Sequence, residues 1–466
     1  MQRITAHTAL RNVAAMRQLN CRVLPRITSP RGHSHLDGLR MVAARRYISA
    51  PAQPTLLSPK FTVPWLKALA MRDHPTEPSP VAQETKGGLS PLTPKRMTDS
   101  YSSYTLEFGK DEWLVDAYVN STGQLRLGTI FMDLDALAGV VAYKHAGEFH
   151  NTYLREGQTI VTAAVDRISL LYHPTSFCDM ELRGMVTWTS GRSSMEISLE
   201  VVALEENKTI LTCQFTMVAL DPVTKKATAV NPLIVETAEE NRIFARGEER
   251  NRFKRALAST SLEKQAPNEE ESNLIHTMWR ESQRYKGKNH ACTLPLAYIF
   301  RLTFSLQADP GSGVEMPENI VYVADTQIQT TQVMQPQYRN RHSYMIFGGL
   351  LLRNSFELAF CCAAAASHSR PRFLSMSPSV FQPAPAGGSR VQIRVDSKVR
   401  DVHHSSLRNT GTFTYTFDTE EEFKVLPKTY GEFVSYIDAR RKAEAERSWA
   451  DTSDDVPDTL EASVVE

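Results

Sequence analysis

A chain of 466 residues with 41% hydrophobic side chains is long enough for two or three domains with real cores, which excludes a disordered or fibrous protein. Its 53 basic and 52 acidic side chains leave a formal net charge of +1, so no bulk field points to nucleic acid or to an anionic membrane. Any anionic ligand has to be met by local charge.

The six cysteines (Cys21, Cys178, Cys213, Cys292, Cys361, Cys362) form no CxxC pair and read as reduced core thiols, with neither disulfides nor a metal centre expected. No run of 18 apolar residues appears, so no helix is expected to span a bilayer.

Residues 1–48 stand apart, with nine arginines and a single acid, Asp37. That composition predicts a mitochondrial transit peptide, with ARRYIS at 44–49 as a processing site, and places the segment outside the fold. A merely disordered basic tail is the other reading. Residues 49–100, rich in Pro, Ser and Thr, read as an extended lead-in with at most a short helix near 65–71.

The first periodic unit covers 101–235. Leu127, Ile130, Phe131, Leu134, Leu137, Ala138 and Val141 recur at helical steps and predict one apolar helix face over 127–142. Segments 159–172 and 181–190 follow as strands. Met195, Ile197, Leu199 and Val201 then alternate with polar residues, as do Leu211, Cys213, Phe215 and Met217, which predicts half-buried antiparallel strands joined through Glu205 to Lys208.

Residues 236–290 hold 21 charged side chains among the 53 from Glu236 to Lys288, and read as a solvated helical connector. The second unit, 291–445, repeats the plan: an apolar helix after Gly348–Gly349, then strands near 371–381, 391–396 and 412–417. YHPTSFCDM at 172–180 and FQPAPAGGS at 381–389 match as a local signature, so an internal duplication is expected. A helix followed by antiparallel strands buries its stripe only if the sheet wraps it, which predicts an α+β protein of two tandem hotdog domains. The tail 446–466, with six acids and no base from Asp451, reads as disordered.

Several residues are chemical candidates. Gly348 and Gly349 remove side chains where backbone N–H groups open a helix, which suits an oxyanion or merely lets the helix pack closely. Arg353 and Glu357, four apart on that helix, suit a mutual ion pair or a pairing with the other half. In MDLDALAG at 132–139, Asp133 and Asp135 flank the apolar stripe. The small residues after Asp135 favour it as a general base or nucleophile. In RNRHSY, His342 reads as a second candidate or a surface histidine, and Arg339, Asn340 and Arg341 suit a phosphate or thioester. Arg192, Ser193 and Ser194 suit a phosphate group, or a plain β-turn. No GxSxG, GxGxxG or GxxxxGK[ST] motif is present.

LRLGTIFMDLDALAG (125–139), VDRISLLYHP (165–174), GRSSMEISLEV (191–201), RNRHSYMIFGGLLLRNSFELAF (339–360), SRPRFLSM (369–376) and VLPKTYGEF (425–433) together resemble the mitochondrial acyl-CoA thioesterase 9/10-type family of double hotdog proteins. The resemblance runs from about Tyr104 to Arg441 and implies hydrolysis of fatty acyl-CoA in the mitochondrial matrix, without a cofactor, in a homo-oligomer of two or three chains. It implies a catalytic acid at Asp135 from one unit, with Asn340, Gly348 and Gly349 from the other. Asn340 stands eight residues before Gly348, one more than the family pattern, so Arg341 or His342 also suits that place. The second unit has Phe356 where the first has Asp135, and Glu357, one position off, is expected to point elsewhere. One composite site per chain is therefore expected. A catalytically inactive acyl-CoA sensor or assembly subunit is the alternative, as is a hotdog enoyl-CoA hydratase, although His342 has no acid within ten residues.

Overall fold

The computed structural model of the protein describes residues 2–10, 92–147, 158–286 (apart from 175, 222–223 and 263), 314–339, 345–376, 388–400 and 407–452. Asn340, Arg341, His342, the expected short helix at 65–71 and the processing site lie outside the described residues.

Two long helices organise the molecule. The first, α2 (Leu127–Ala146), follows a short helix α1 (Glu112–Tyr118) capped by Asp111, whose carboxylate accepts from the Trp113 N–H at 3.0 Å. The second long helix is α5 (Gly348–Ser367), which ends at His368 in the left-handed region. Both are apolar nearly all round because each is enclosed: Leu134, Leu137, Ala138 and Val141 of α2 are buried, as are Leu352, Phe356, Ala359 and Ala363 of α5. The helices meet side by side, with the Phe131 and Phe356 rings 4.9 Å apart and edge-on. Alone, α5 is long and apolar enough to cross a membrane, but half of that stretch is buried inside the protein.

Around α2 wrap β2 (Ser102–Leu106), β3 (Thr159–Leu170), β4 (Met180–Thr189), β5 (Ser194–Ala203) and β6 (Lys208–Leu220). Around α5 lie β7 (Gln329–Thr330), β8 (Arg372–Met376), β9 (Arg390–Arg400) and β10 (Leu407–Asp418). Strands β8 and β3 pair antiparallel at Ser375–Ser169 and Met376–Ile168, joining the halves into one sheet. Its order, β7-β1-β9-β10-β8-β3-β6-β5-β4-β2, in which β1 is Gln2–Leu10, reads as two mirrored halves about that joint, and one hydrophobic core runs through both.

The mirror has one irregular member. The slot that β4 fills beside β5 is filled beside β9 by β1 (Gln2–Leu10), which pairs parallel from Gln2–Val391 to Leu10–Val399. These residues were placed outside the fold by sequence composition. Among the described residues the match between the halves is thus incomplete: four long strands follow α2, and three follow α5.

The connector also departs from a solvated link. Its first helix, α3 (Ala238–Ser259), opens with a Thr237–Glu240 capping box and lies on the outer face of the first half-sheet. Arg250 pairs with the buried Glu196 of β5 at 2.5 Å, Lys254 with Asp166 at 2.8 Å, and Gly247 abuts Trp188 so closely that a Cβ there would meet its Cβ at 2.5 Å. This cover explains why β5, expected half-buried, is buried on both faces, Glu196 and Glu200 included. The second connector helix, α4 (Glu269–Ser282), packs Met278 against Phe433 and Ile437 of α6 (Tyr430–Thr452), which runs past the expected domain end at 445.

Candidate active site

Each long helix begins the same way. Tyr118 O accepts from Arg126 N at 2.6 Å and Tyr338 O from Phe347 N at 2.8 Å, while bridges join Val119 to Leu125 and Arg339 to Ile346. Arg126 and Phe347 are therefore matching N-cap residues, Gly128 matches Gly349, and Asp135 matches Phe356. In the sheets, Met195 and Thr162 flank Met217, as Val391 and Phe373 flank Phe417, so Thr162 matches Phe373.

At the first of these paired positions the residues are polar. Asp135 is only 4% exposed, on the face of α2 turned toward the start of α5. Its Oδ1 accepts from Thr162 Oγ1 at 2.8 Å, and the Gly349 N–H donates to the same carboxylate. Burial pushes the Asp135 pKa up to about 6, and the Thr162 and Gly349 hydrogen bonds oppose the rise. Such a group is mostly ionised at neutral pH yet basic enough to take a proton.

Space excludes a side chain at Gly349 and is tight at Gly348. A Cβ on Gly348 would stand 3.0 Å from Asp135 Oδ2, and one on Gly349 would stand 2.8 Å from the Met132 carbonyl. Close packing and access to the carboxylate are thus the same fact. The Gly349 N–H, expected to hold a thioester carbonyl, here serves Asp135 itself.

At the second paired position the same places hold an aromatic cluster. Phe356 and Phe373 sit edge-on at 5.2 Å, with Tyr415 and Phe417 against Phe356 at 5.6 and 6.1 Å. Glu357 does not point away as its place in the sequence suggested. A Cβ on Gly128 would meet its Oε1 at 3.3 Å, and that carboxylate takes Arg126 at 2.7 Å and Arg353 at 3.3 Å. A glutamate's reach covers the one-residue offset that helix angle alone forbids.

Thr162 was not singled out from the sequence. It lies on β3 where the pairing with β6 slips between Thr162 and Ala164, a bulge that re-aims side chains. The available signal was the broken alternation in TIVTAAV at 159–165. Asp133, the other acid of MDLD, is fully buried, accepts from the Tyr118 hydroxyl and has no partner for Oδ1 among the described residues. Burial pushes its pKa up to about 7, with Tyr118 and Arg353 opposing.

The other candidates are more distant. Arg192, Ser193 and Ser194 form the β4–β5 hairpin turn, where Gly191 has φ +67° and the Ser190 hydroxyl accepts from Arg192 N and Ser194 N at 3.2 Å each. The row Val161–Val218–Ser194 sets this turn at the Thr162 end of the sheet, two strands away. Arg339 is exposed and its backbone pairs with Ile346, while Asn340, Arg341 and His342 fall outside the described residues. A cavity of about 570 Å³ opens between α2 and the start of α5, lined by Met132, Tyr338, Phe347, Leu350, Arg353 and Asn354 among others. Met132 is one helical turn from Asp135 and Phe347 adjoins Gly348, so the cavity lies beside the site, while Asp135, Thr162 and the two glycines are not among its lining residues. No cluster of three metal-ligating side chains occurs among the described residues.

Two helices, each enclosed by antiparallel strands and set side by side in one sheet, define a double hotdog protein with its polar site between the units. No family profile matches the chain. It is 32% identical to mouse acyl-coenzyme A thioesterase 10, mitochondrial, and 32% identical to human acyl-coenzyme A thioesterase 9, mitochondrial, in both cases over 75% of this chain and 78% of the relative. A chloroplastic acyl-coenzyme A thioesterase 2 from Humulus lupulus is 29% identical over 73% and 77%. Among solved structures, an apo-hexameric acyl-CoA thioesterase aligns with 36% of this chain and 99% of its own at 24% identity and a TM-score of 0.30. The chain belongs to the acyl-coenzyme A thioesterase 9/10 family.

Proposed function

We propose that the protein hydrolyses fatty acyl-CoA to a free fatty acid and coenzyme A at one composite site per chain, between Asp135 of the first unit and the Gly348–Gly349 helix start of the second. The observation that carries this reading is the buried Asp135 carboxylate held by Thr162 and by the N–H of Gly349 across the joint between units. Asp135 removes a proton from water, and the resulting hydroxide adds to the thioester carbonyl carbon. The Gly349 N–H turns from Asp135 to the developing oxyanion, a preorganised donor at a helix start. Loss of that bond raises the Asp135 pKa further, so the same movement strengthens the base. Collapse of the tetrahedral adduct breaks the C–S bond, and the thiolate takes the proton held by Asp135. Asn340, with Arg341 or His342 in its place, orients the water or carbonyl, and Arg192, Ser193, Ser194, Arg339 and Arg341 are candidates for the CoA phosphates.

Thioesters need little help for the leaving group, so this machinery requires no metal or redox cofactor. The relatives' names and the arginine-rich leader support a mitochondrial, matrix location, and α5 is proposed as a core helix rather than a membrane span. Self-association into dimers or trimers would cover exposed sheet edges and faces. Location is checked by sequencing the N-terminus after import into isolated mitochondria: a new end near Ser49, which would remove β1 and leave the edge of β9 open in the mature chain, supports it, and an intact Met1 counts against it.

The test of function is CoA release by the full chain across acyl lengths, with binding of a non-hydrolysable acyl-CoA thioether measured in parallel. Release that Asp135→Asn abolishes, with thioether binding kept, is the expected result. Binding without release by the unmodified protein means the sensor reading instead.

A further inference from the structure

The α2 and α5 helix starts each approach a carboxylate on the other helix, yet the two contacts differ in kind. Around Gly349 the contact is a hydrogen bond to Asp135 that substrate has to displace. Around Gly128 it is a standing ion pair: Arg126, the N-cap residue of α2, grips Glu357 of α5 through Nε at 2.8 Å and Nη2 at 2.7 Å, both to Oε1. Arg353 adds a third contact at 3.3 Å. Phe347, the N-cap matching Arg126, carries no charge with which to form such an ion pair.

We propose that the Arg126–Glu357 ion pair is a positioning clasp, which fixes the start of α2 against α5 so that the opposite crossing keeps Gly349 within hydrogen-bond reach of Asp135 while substrate enters and leaves. It acts through the helices and touches no reacting atom. The lever is short. Glu357 lies two helical turns from Gly349, and Arg126 lies nine residues before Asp135 on a rigid helix. The pair is about one-third exposed on each side, so its effect is modest, but the Gly349 hydrogen bond it aligns is one of the two that oppose the burial-driven rise of the Asp135 pKa.

The charged groups near this joint are Asp133 and Arg126 on α2 and Arg353 and Glu357 on α5; Thr162 of β3 faces Asp135 with a neutral hydroxyl. Substituting one member of the clasp would alter the field as well as the geometry. The informative variant is therefore the neutral pair Arg126→Gln with Glu357→Gln, which leaves net charge unchanged. This inference rests on the thioesterase reading, and Asp135→Asn in the same assay separates the two: activity that survives that substitution defeats the reading itself. With the reading intact, the neutral pair should lower kcat about two- to fivefold with KM unchanged, and should move the acid limb of kcat/KM to higher pH as the Gly349 bond weakens. The charge reversal Arg126→Glu with Glu357→Arg should restore both. A folded neutral pair with unaltered kcat and acid limb overturns the proposal, whether or not its Tm has dropped, as does a charge reversal that restores neither.

Discussion

The two halves of the molecule use one framework for opposite ends. Where the first half places Asp135 and Thr162, the second places Phe356 and Phe373 in the same paired positions. In the first the side chains hydrogen-bond to each other across helix and strand, and in the second they pack as rings 5.2 Å apart. Two structurally matching halves can thus divide labour: one of the paired positions tolerates a buried, destabilising carboxylate, and the other gives the shared core an aromatic anchor. The glycine pair stands at the helix start of one half and Asp135 on the helix of the other, so under the proposed mechanism neither half is complete alone.

The largest effect expected from breaking this division is on catalysis. Asp135→Asn should reduce kcat by about 10²- to 10⁴-fold, the usual share of a general base, as read by CoA release. Because burial raises the Asp135 pKa above its unfolded value, its ionisation costs stability that the asparagine avoids, so the inactive variant should melt higher at neutral pH. The converse substitution acts on stability. Phe356→Ala removes the ring that contacts Phe131, Phe373, Tyr415 and Phe417, and should cost about 3–5 kcal/mol in denaturant unfolding.

Asp133 sharpens the comparison, because it is the acid that the site does not use. Its folded pKa of about 7 lies above the unfolded value near 3.8, so the unfolded chain releases this proton first. Stability from this group is undiminished below the unfolded pKa, falls as pH rises between the two values, and is lowest above pH 7. Asp133→Asn should therefore raise stability above pH 7, by on the order of 4 kcal/mol at one pKa unit per 1.36 kcal/mol, with almost none of that gain at pH 4. It should leave CoA release intact. The smallest effect is that of Thr162→Val: loss of the hydroxyl removes a bond that lowers the Asp135 pKa, so the acid limb of kcat/KM, otherwise near pH 6, should shift upward.

Much of the architecture was legible in residue periodicity. The 3.6-residue apolar repeat located α2, the glycine pair with the apolar run behind it located α5, and the two-residue repeat located the strands, because each pattern is a direct image of burial. The small residues after Asp135 and the bare Gly348–Gly349 pair pointed to a close approach, which the structure supplies as one contact. Other features depend on three-dimensional neighbours. Thr162 is an ordinary strand residue until a bulge aims it at Asp135, and Glu357 looks misplaced until its length is counted. The burial of Glu196 needs α3, whose charged surface reads as solvated when taken alone. The strand Gln2–Leu10 fills the slot beside β9, and nothing in an arginine-rich leader signals such pairing.

The central claim is that one of the two paired positions is a working site and the other is core. Calorimetric titration of the full chain with a non-hydrolysable acyl-CoA thioether counts the sites directly. The account predicts one ligand per chain, with Gly349→Ala abolishing binding or greatly weakening it and Gly128→Ala leaving the stoichiometry unchanged. Two equivalent ligands per chain, or a single one lost on Gly128→Ala and kept on Gly349→Ala, would contradict it.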